Sequence, residues 1–315
     1  MDIYFAPLEG LTDSVYRRLH HQYFPGGVSC YFTPFFSPTI HRALTAREER
    51  ELPLAQGLGF PVVPQLLTKN AEDFLWMTQV IRDRGYRKVN LNLGCPSGTV
   101  VSKGKGSGML SDPAQLDRFL EQIFSQACLP ISVKTRSGFR SCEEFASLLE
   151  IFNRYPLAEL ILHPRSRKDF YTGPIDMDSF RLALENSRAP VCYNGNLCSL
   201  EDLRAFREAF PQCGAVMLGR GLIGDPGMLT PGGTDRKKLE EFCNALLEEY
   251  LICFGGSRNA MFRLKENWRH LLCKFEGAEK LGKKLRKTTD AEEYKAITHE
   301  IFHTLSLREE MLPDW

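Results

Sequence analysis

The chain lacks most of the features that assign a protein at sight. No two of its ten cysteines stand in a C-x-x-C spacing, so zinc and iron–sulfur sites have no support. It has no long hydrophobic run. The longest, such as 61–67 and 158–163, fall far short of the roughly 20 residues a spanning helix needs, and no membrane partner is expected. Neither sign of charge is in excess. A formal net charge of +1 does not mark a nucleic-acid binder, so any polyanion site must be a local patch. The opening MDIYFAPLEG has no basic stretch and runs straight into a strand-like segment, so no signal peptide is expected. A cytoplasmic location follows as the expectation, with cysteines reduced and mostly acting as small buried hydrophobes. Internal repeats and low-complexity tracts are absent, and nothing demands an oligomer, so a monomer is expected. What the chain does have is 21 Phe, 10 Tyr and 3 Trp in 315 residues. That apolar surface excludes disorder, and the length fits one large domain, alone or with a small one.

Apolar segments alternate with helical patterns. Runs at 3–6, 31–36, 62–67, 88–93, 131–135, 160–163, 191–193 and 215–218 are short, rich in Val, Ile, Leu and Phe, and bounded by Gly, Pro or Asn. They read as buried parallel strands. Between them, Asp13, Asn70, Asp112-Pro113, Ser141 and Ser199 precede helical stretches as caps, and Gly85 closes one. All-β and all-α readings both fail on this alternation. A (β/α)8 TIM barrel is favoured over a doubly wound sheet, because polar residues and Gly sit at the C-terminal end of nearly every strand. After the turn-like TPGGT the pattern is helical only. The expected division is a barrel over 1–233 and a small helical domain over 234–315.

The chemistry lies at the strand ends. Asn92-Leu-Gly94-Cys95-Pro96 follows the fourth strand and puts a thiol on a turn at the barrel mouth, although most cysteines in such a chain are structural. The Gly-rich 104–108 reads as a mobile active-site loop or a plain surface turn. Lys134 and Arg136 end the fifth strand, and strand alternation is expected to send one inward and one aside. A buried Lys134 calls for an anionic cofactor ring or phosphate, or for a carboxylate on a nearby strand. His163 precedes Arg165 and Arg167, with no matching second ligand for a metal. Asn194-Gly195-Asn196 and Gly219-Arg220-Gly221 end the last two strands, where such barrels commonly bind phosphate. Pro7, Leu8 and Glu9 cap the first strand. Gln65 could hydrogen-bond a heterocycle or a barrel neighbour. Neither paired carboxylates nor a metal cluster is present, and a flat, anionic, phosphorylated cofactor such as FMN fits the set.

This run of motifs resembles the dihydrouridine synthases, flavoenzymes that reduce uridine in tRNA. The resemblance rests on Ala6–Gly10 with Thr12-Asp13, Asn92–Pro96, Gly106-Ser-Gly108 with Leu110, and Val133–Arg136. It continues through His163 with Arg165, Tyr171 with Gly173, Asn194–Asn196 and Gly219–Gly221, in family order. The helical tail agrees with the family layout. Three positions depart from it: Leu8 for Met, Pro164 for Gly and Asn196 for Asp. The resemblance implies that NADPH, or NADH, reduces FMN, that the flavin gives a hydride to carbon 6 of a uracil, and that Cys95 protonates carbon 5. It implies cofactor contacts at Pro7, Leu8, Glu9, Gln65, Lys134, His163, Asn194, Gly195, Asn196, Gly219 and Arg220. Asn92 and Arg136 would position the flipped uridine.

The helical tail would then bind RNA. From Arg258 to Lys287 there are ten Lys or Arg against three Glu, with Phe262, Trp268 and Phe275 interleaved, and Lys283, Lys284 and Lys287 are the expected phosphate contacts. Solvated helix faces over a core would give the same pattern. The expected partner is tRNA, with ribosomal RNA as an alternative. Three other functions compete: an FMN barrel acting on a small molecule, a lyase using Lys134 as a Schiff base, and a non-catalytic RNA binder.

Overall fold

The computed structural model describes residues 1–39 and 41–313. Eight strands form where the apolar runs lie. They are β1 (Asp2–Phe5), β2 (Cys30–Phe36), β3 (Val62–Leu66), β4 (Val89–Leu93), β5 (Ile131–Gly138), β6 (Glu159–Ser166), β7 (Val191–Tyr193) and β8 (Ala215–Leu218). They close in sequence order into one barrel, and the pairings from β1 with β2 through β7 with β8 are all parallel. This is the eight-stranded α/β barrel that the alternation predicts.

The helices are α1 (Ser14–Tyr23), α2 (Ala46–Glu51), α3 (Ala71–Asp83), α4 (Gly98–Val101), α5 (Pro113–Phe124), α6 (Phe145–Phe152) and α7 (Met177–Asn186). They continue with α8 (Leu200–Ala209), α9 (Arg220–Gly224), α10 (Arg236–Phe254), α11 (Ser257–Leu271), α12 (Glu279–Lys287) and α13 (Ala291–Thr304). The caps act as the sequence suggests. Asp13 accepts from the Tyr16 amide, Asn70 from Asp73 and Asp112 from Gln115, each at 3.0 Å.

Side chains two apart on a strand share a face, and this rule sorts the barrel interior into layers. Ala6, Phe32, Val63, Ile161, Cys192, Ala215 and Met217 form an apolar plug. Near the N-terminal ends of the strands, Glu159 accepts from the Tyr4 hydroxyl at 2.9 Å and pairs with Lys88 at 3.0 Å. Towards the C-terminal ends, β3 contributes Gln65, β4 Asn90 and Asn92, β5 Lys134 and β6 His163. The register sets Asn92 beside Lys134 and Arg136 beside His163. Lys134 and Arg136 therefore lie on one face of β5. The expectation that alternation parts them fails because they stand two residues apart, not one.

The chain divides into two compact units. The first comprises Met1–Pro7, Cys30–Asn196 and Ala209–Met217. The second comprises Leu8–Ser29, Leu197–Glu208 and Leu218–Trp315, and so holds all of α10–α13 together with segments from earlier in the chain. Within it, Phe242 of α10 meets Tyr16 and Phe24 edge-on at ring distances of 5.4 and 5.3 Å. Trp268 stacks on Phe275 and donates to the Tyr294 hydroxyl at 2.5 Å. Both Trp268 and Phe275 are thus core residues, and of the three interleaved aromatics only Phe262 is exposed. Lys274 is buried too, held by Asp225 at 2.5 Å.

Candidate active site

The site in the first unit is built on the turn after β4. Asn92 Oδ1 accepts the amides of Gly94 at 3.1 Å and Cys95 at 3.0 Å, an Asx-type turn that fixes the backbone at the thiol. The other end of the Asn92 amide donates to Gln65 Oε1 at 2.8 Å. Gln65 donates to Asn90 at 2.7 Å, and Asn90 to Ser132 at 2.9 Å. Four buried polar side chains therefore hold one another, and such satisfied networks rigidify the strand ends they join. Asn90 escaped the sequence reading, although its place two residues before Asn92 puts it on the same face.

The Gly-rich loop is not a surface turn over most of its length. Gly106–Leu110 is buried, and Ser107 donates twice to the Cys95 carbonyl, from its amide at 3.1 Å and its hydroxyl at 2.8 Å. Gly106 has φ +58°, and a Cβ there would lie 2.9 Å from both the Cys95 carbonyl and Val100. The glycine thus serves close packing beneath the thiol turn. Cys95 itself is half-buried and in no disulfide.

Beside this turn stands a group of cations. Arg136 is buried. It donates to the carbonyls of Gly94 and Ser166, both at 2.9 Å, and its guanidinium lies 5.1 Å from the centroid of the Tyr171 ring. Arg165 donates to the Gly173 carbonyl at 2.6 Å, to His163 Nε2 at 3.1 Å and to Asn196 Oδ1 at 3.3 Å. Arginine can only donate, so His163 accepts at Nε2 and is neutral, with its proton on Nδ1. Burial, with Arg136, Lys134 and Arg165 close by, holds its pKa well below the usual histidine range. Burial, with Arg136 as the next contribution, pushes the Lys134 amine down to about 8. Among the described residues no acceptor or carboxylate engages the Lys134 amine, and no ion pair engages Arg136 or Arg165. Lys134 and Arg136 thus crowd the strand ends with no carboxylate acting on either among the described residues, and Arg165 has Asp169 near it without an ion pair. Such an arrangement is costly without an anionic ligand and fits one well.

Asn194 is buried and donates to the Met217 carbonyl at 2.7 Å. At Gly195 a Cβ would sit 2.0 Å from the Tyr193 hydroxyl, so no larger residue fits. Pro7 is half-buried at the end of its segment. The remaining expected site residues belong to the second unit. There the Leu8 amide donates to Thr12 Oγ1 at 2.8 Å, Glu9 is exposed, Gly219 caps α9 and Arg220 opens it. Lys283, Lys284 and Lys287 lie exposed on α12, with Lys284 3.8 Å from Glu300. No cluster of metal-ligating side chains occurs among the described residues, and no described helix is long and apolar enough to cross a membrane.

A family model for dihydrouridine synthases matches residues 4–311. The chain belongs to the dihydrouridine synthase family. It is 27% identical over 317 residues to "Probable tRNA-dihydrouridine synthase 1" of Synechocystis, covering 96% of this chain and 86% of that protein. It is 26% identical over 318 residues to "tRNA-dihydrouridine(16) synthase" of Neisseria meningitidis serogroup B, covering 95% and 94%. With "tRNA-dihydrouridine synthase B" of Pasteurella multocida it shares 25% identity over 258 residues, covering 78% and 75%. Among solved structures, morphinone reductase superposes with a TM-score of 0.50 at 13% identity, covering 72% of this chain and 84% of that one. That likeness is one of barrel fold alone. Family membership accords with the motif order from Ala6 to Gly221, and it makes an oxidoreductase of the barrel.

Proposed function

We propose that the chain reduces the 5,6 double bond of a uridine in tRNA, with FMN as the bound cofactor and NADPH or NADH as reductant. The observation that carries this reading is the pair Lys134 and Arg136, cations that no described carboxylate neutralises, beside the thiol turn. The relatives named for tRNA favour it over ribosomal RNA as the substrate.

The residues fit the cofactor. Lys134, unpaired at the strand end, suits negative charge at the pyrimidine edge of a reduced flavin. His163 and Arg165, with Asn194, Gly195 and Asn196, form a neutral and cationic surround suited to a phosphate. Asn196 accepts from Arg165 without cancelling its charge, as the Asp usual there would. Gly219 and Arg220 keep the phosphate assignment that their motif gives them. Pro7 and Gln65 would border the ring system, and Leu8 and Glu9 keep the cofactor assignment that their motif gives them. Bound FMN would supply the hydride that reaches carbon 6 of the uracil.

Cys95 then gives its thiol proton to carbon 5, so the uracil gains one hydride and one proton, and solvent restores the thiol. The group acts as a general acid, and its protonated form is the working one. Asn92 holds the turn that presents it. Arg136, locked between two carbonyls and Tyr171, lines the same face and would help to seat the uridine. The uracil must leave its stack to reach this depth. Residues 1–233 would thus carry the catalysis. The helical segment 234–315, with Lys283, Lys284 and Lys287, would meet the RNA backbone. A monomer working in the cytoplasm accords with this role.

The test is the visible absorption of the purified protein before and after anaerobic NADPH. Flavin bands that bleach with NADPH and return with unmodified tRNA support the reading. A colourless protein that cannot be reconstituted with FMN defeats it.

A further inference from the structure

The basic segment 258–287 is not uniform. Lys274 is buried against Asp225, Arg263 lies 3.9 Å from Asp13, and Lys284 lies 3.8 Å from Glu300. Helix α11 is different. At 3.6 residues per turn, Arg258, Phe262, Lys265 and Arg269 fall within about 60° of one another and form a stripe about 16 Å long. The buried side of the helix carries Ala260, Met261, Leu264, Trp268 and Leu271. Packing fixes the orientation, leaving Arg258, Phe262 and Arg269 exposed and Lys265 half-buried. Among the described residues no ion pair or side-chain hydrogen bond engages Arg258, Lys265 or Arg269. Glu266 is the acidic residue on the flank of the stripe. Phe262 is 72% exposed, among the most exposed large apolar side chains of the protein. Helix α12 has exposed lysines too, but no aromatic residue.

A bare phenyl ring between unpaired cations is poorly suited to a duplex, whose bases are stacked and out of reach. It suits an unpaired strand, where phosphates meet the cations and a splayed base lies on the ring. We propose that the α11 stripe is a binding surface for an unpaired RNA segment, with Phe262 as a base-stacking platform and Arg258, Lys265 and Arg269 as phosphate contacts. The inference rests on the RNA-reducing role proposed above and adds what that role leaves open, which is the face used and the single-stranded character of the RNA on it.

The test measures binding of the full-length protein to an unmodified tRNA transcript and to an RNA duplex without loops, over a range of salt. Phe262→Ala should weaken tRNA binding about 5- to 150-fold, with its salt dependence unchanged. Phe262→Trp should restore it. The triple variant Arg258→Gln, Lys265→Gln, Arg269→Gln should flatten the slope of log affinity against log salt by about 2. Duplex binding should not respond to Phe262→Ala. These surface substitutions spare the core, so folding is not at issue. Wild-type affinity in Phe262→Ala, an equal loss on the duplex, or preference of the stripe for anionic lipid vesicles each overturns the proposal. If the wild-type protein neither binds nor reduces tRNA, the parent reading fails. If it does both and Phe262→Ala binds as well as wild type, only this inference fails.

Discussion

The two ends of the barrel treat a lysine in opposite ways. At the N-terminal end Lys88 has Glu159 at 3.0 Å, and Glu159 also accepts from Tyr4 at 2.9 Å. At the C-terminal end no carboxylate or acceptor among the described residues engages Lys134, and Arg136 and Arg165 stand close by. The strands and the parallel register are the same. At one end the charge is neutralised within the fold and contributes to holding it together. At the other the fold bears a cost that a bound anion would relieve, which is the usual sign of a ligand site in a barrel of this kind.

The contrast can be broken in graded ways. The largest effect should come from Cys95→Ala. Uridine reduction in a tRNA assay should fall about 10²- to 10⁴-fold, while bleaching of the flavin by NADPH proceeds as in wild type. Loss of both activities together would mean that Cys95 only shapes the cofactor pocket. Next comes Lys134→Met, which removes the uncompensated charge. FMN affinity, followed by fluorescence on titration, should drop about tenfold or more. The same variant should stabilise the cofactor-free protein at pH 7, by about 1–3 kcal/mol in urea unfolding. A substitution that weakens the ligand and strengthens the empty fold is the signature of a functional charge.

At the other end, Glu159→Gln should destabilise the fold by about 1–2 kcal/mol, since it leaves Lys88 unpaired, and should leave FMN affinity alone. If Glu159→Gln released the cofactor, the two ends would not be independent. The smallest effect is on pH dependence. The Lys134 amine is lowered from 10.5 to about 8 in the fold, so its cost is present in full below pH 8. Between pH 8 and 10.5 the unfolded chain holds a proton that the folded one has released, and the cost disappears. The thiols of half-buried Cys142 and buried Cys198, which desolvation pushes up to about 11, act in the opposite sense at high pH. The quantity to measure is therefore the stability difference between Lys134→Met and wild type, both without cofactor. It should shrink as pH rises from 8 to 10. A difference that stays constant would show that Lys134 is not titrating there.

Much of this was legible in the chain. Each strand lies within a residue or so of its apolar run, except where β5 and β6 continue to Gly138 and Ser166. Those extensions are made of Arg, Ser, Gly and Pro, residues with no apolar signature, and they pair because the barrel closes around them. The caps at Asp13, Asn70 and Asp112 were legible because a cap is a local hydrogen bond. The Gly-rich loop misled, because glycine permits motion and close packing equally, and only the approach of Gly106 to Cys95 and Val100 separates the two. Trp268, Phe275 and Lys274 stayed undecided in the sequence for a related reason. Their helical period fits a core or a surface, and Asp225, some fifty positions upstream of Lys274, decides it.

By itself the sequence determined the eight strands, the caps and the order of the strand-end motifs, because hydrophobic period and capping act over a few residues. It also determined which polar groups could share a strand face, by simple parity. Only the tertiary structure decided which of those groups are already satisfied. Gln65, Asn90 and Asn92 hold one another, whereas Lys134 has no partner among the described residues. Whether a buried charge has a partner depends on distances between strands far apart in the chain, and no local pattern encodes those.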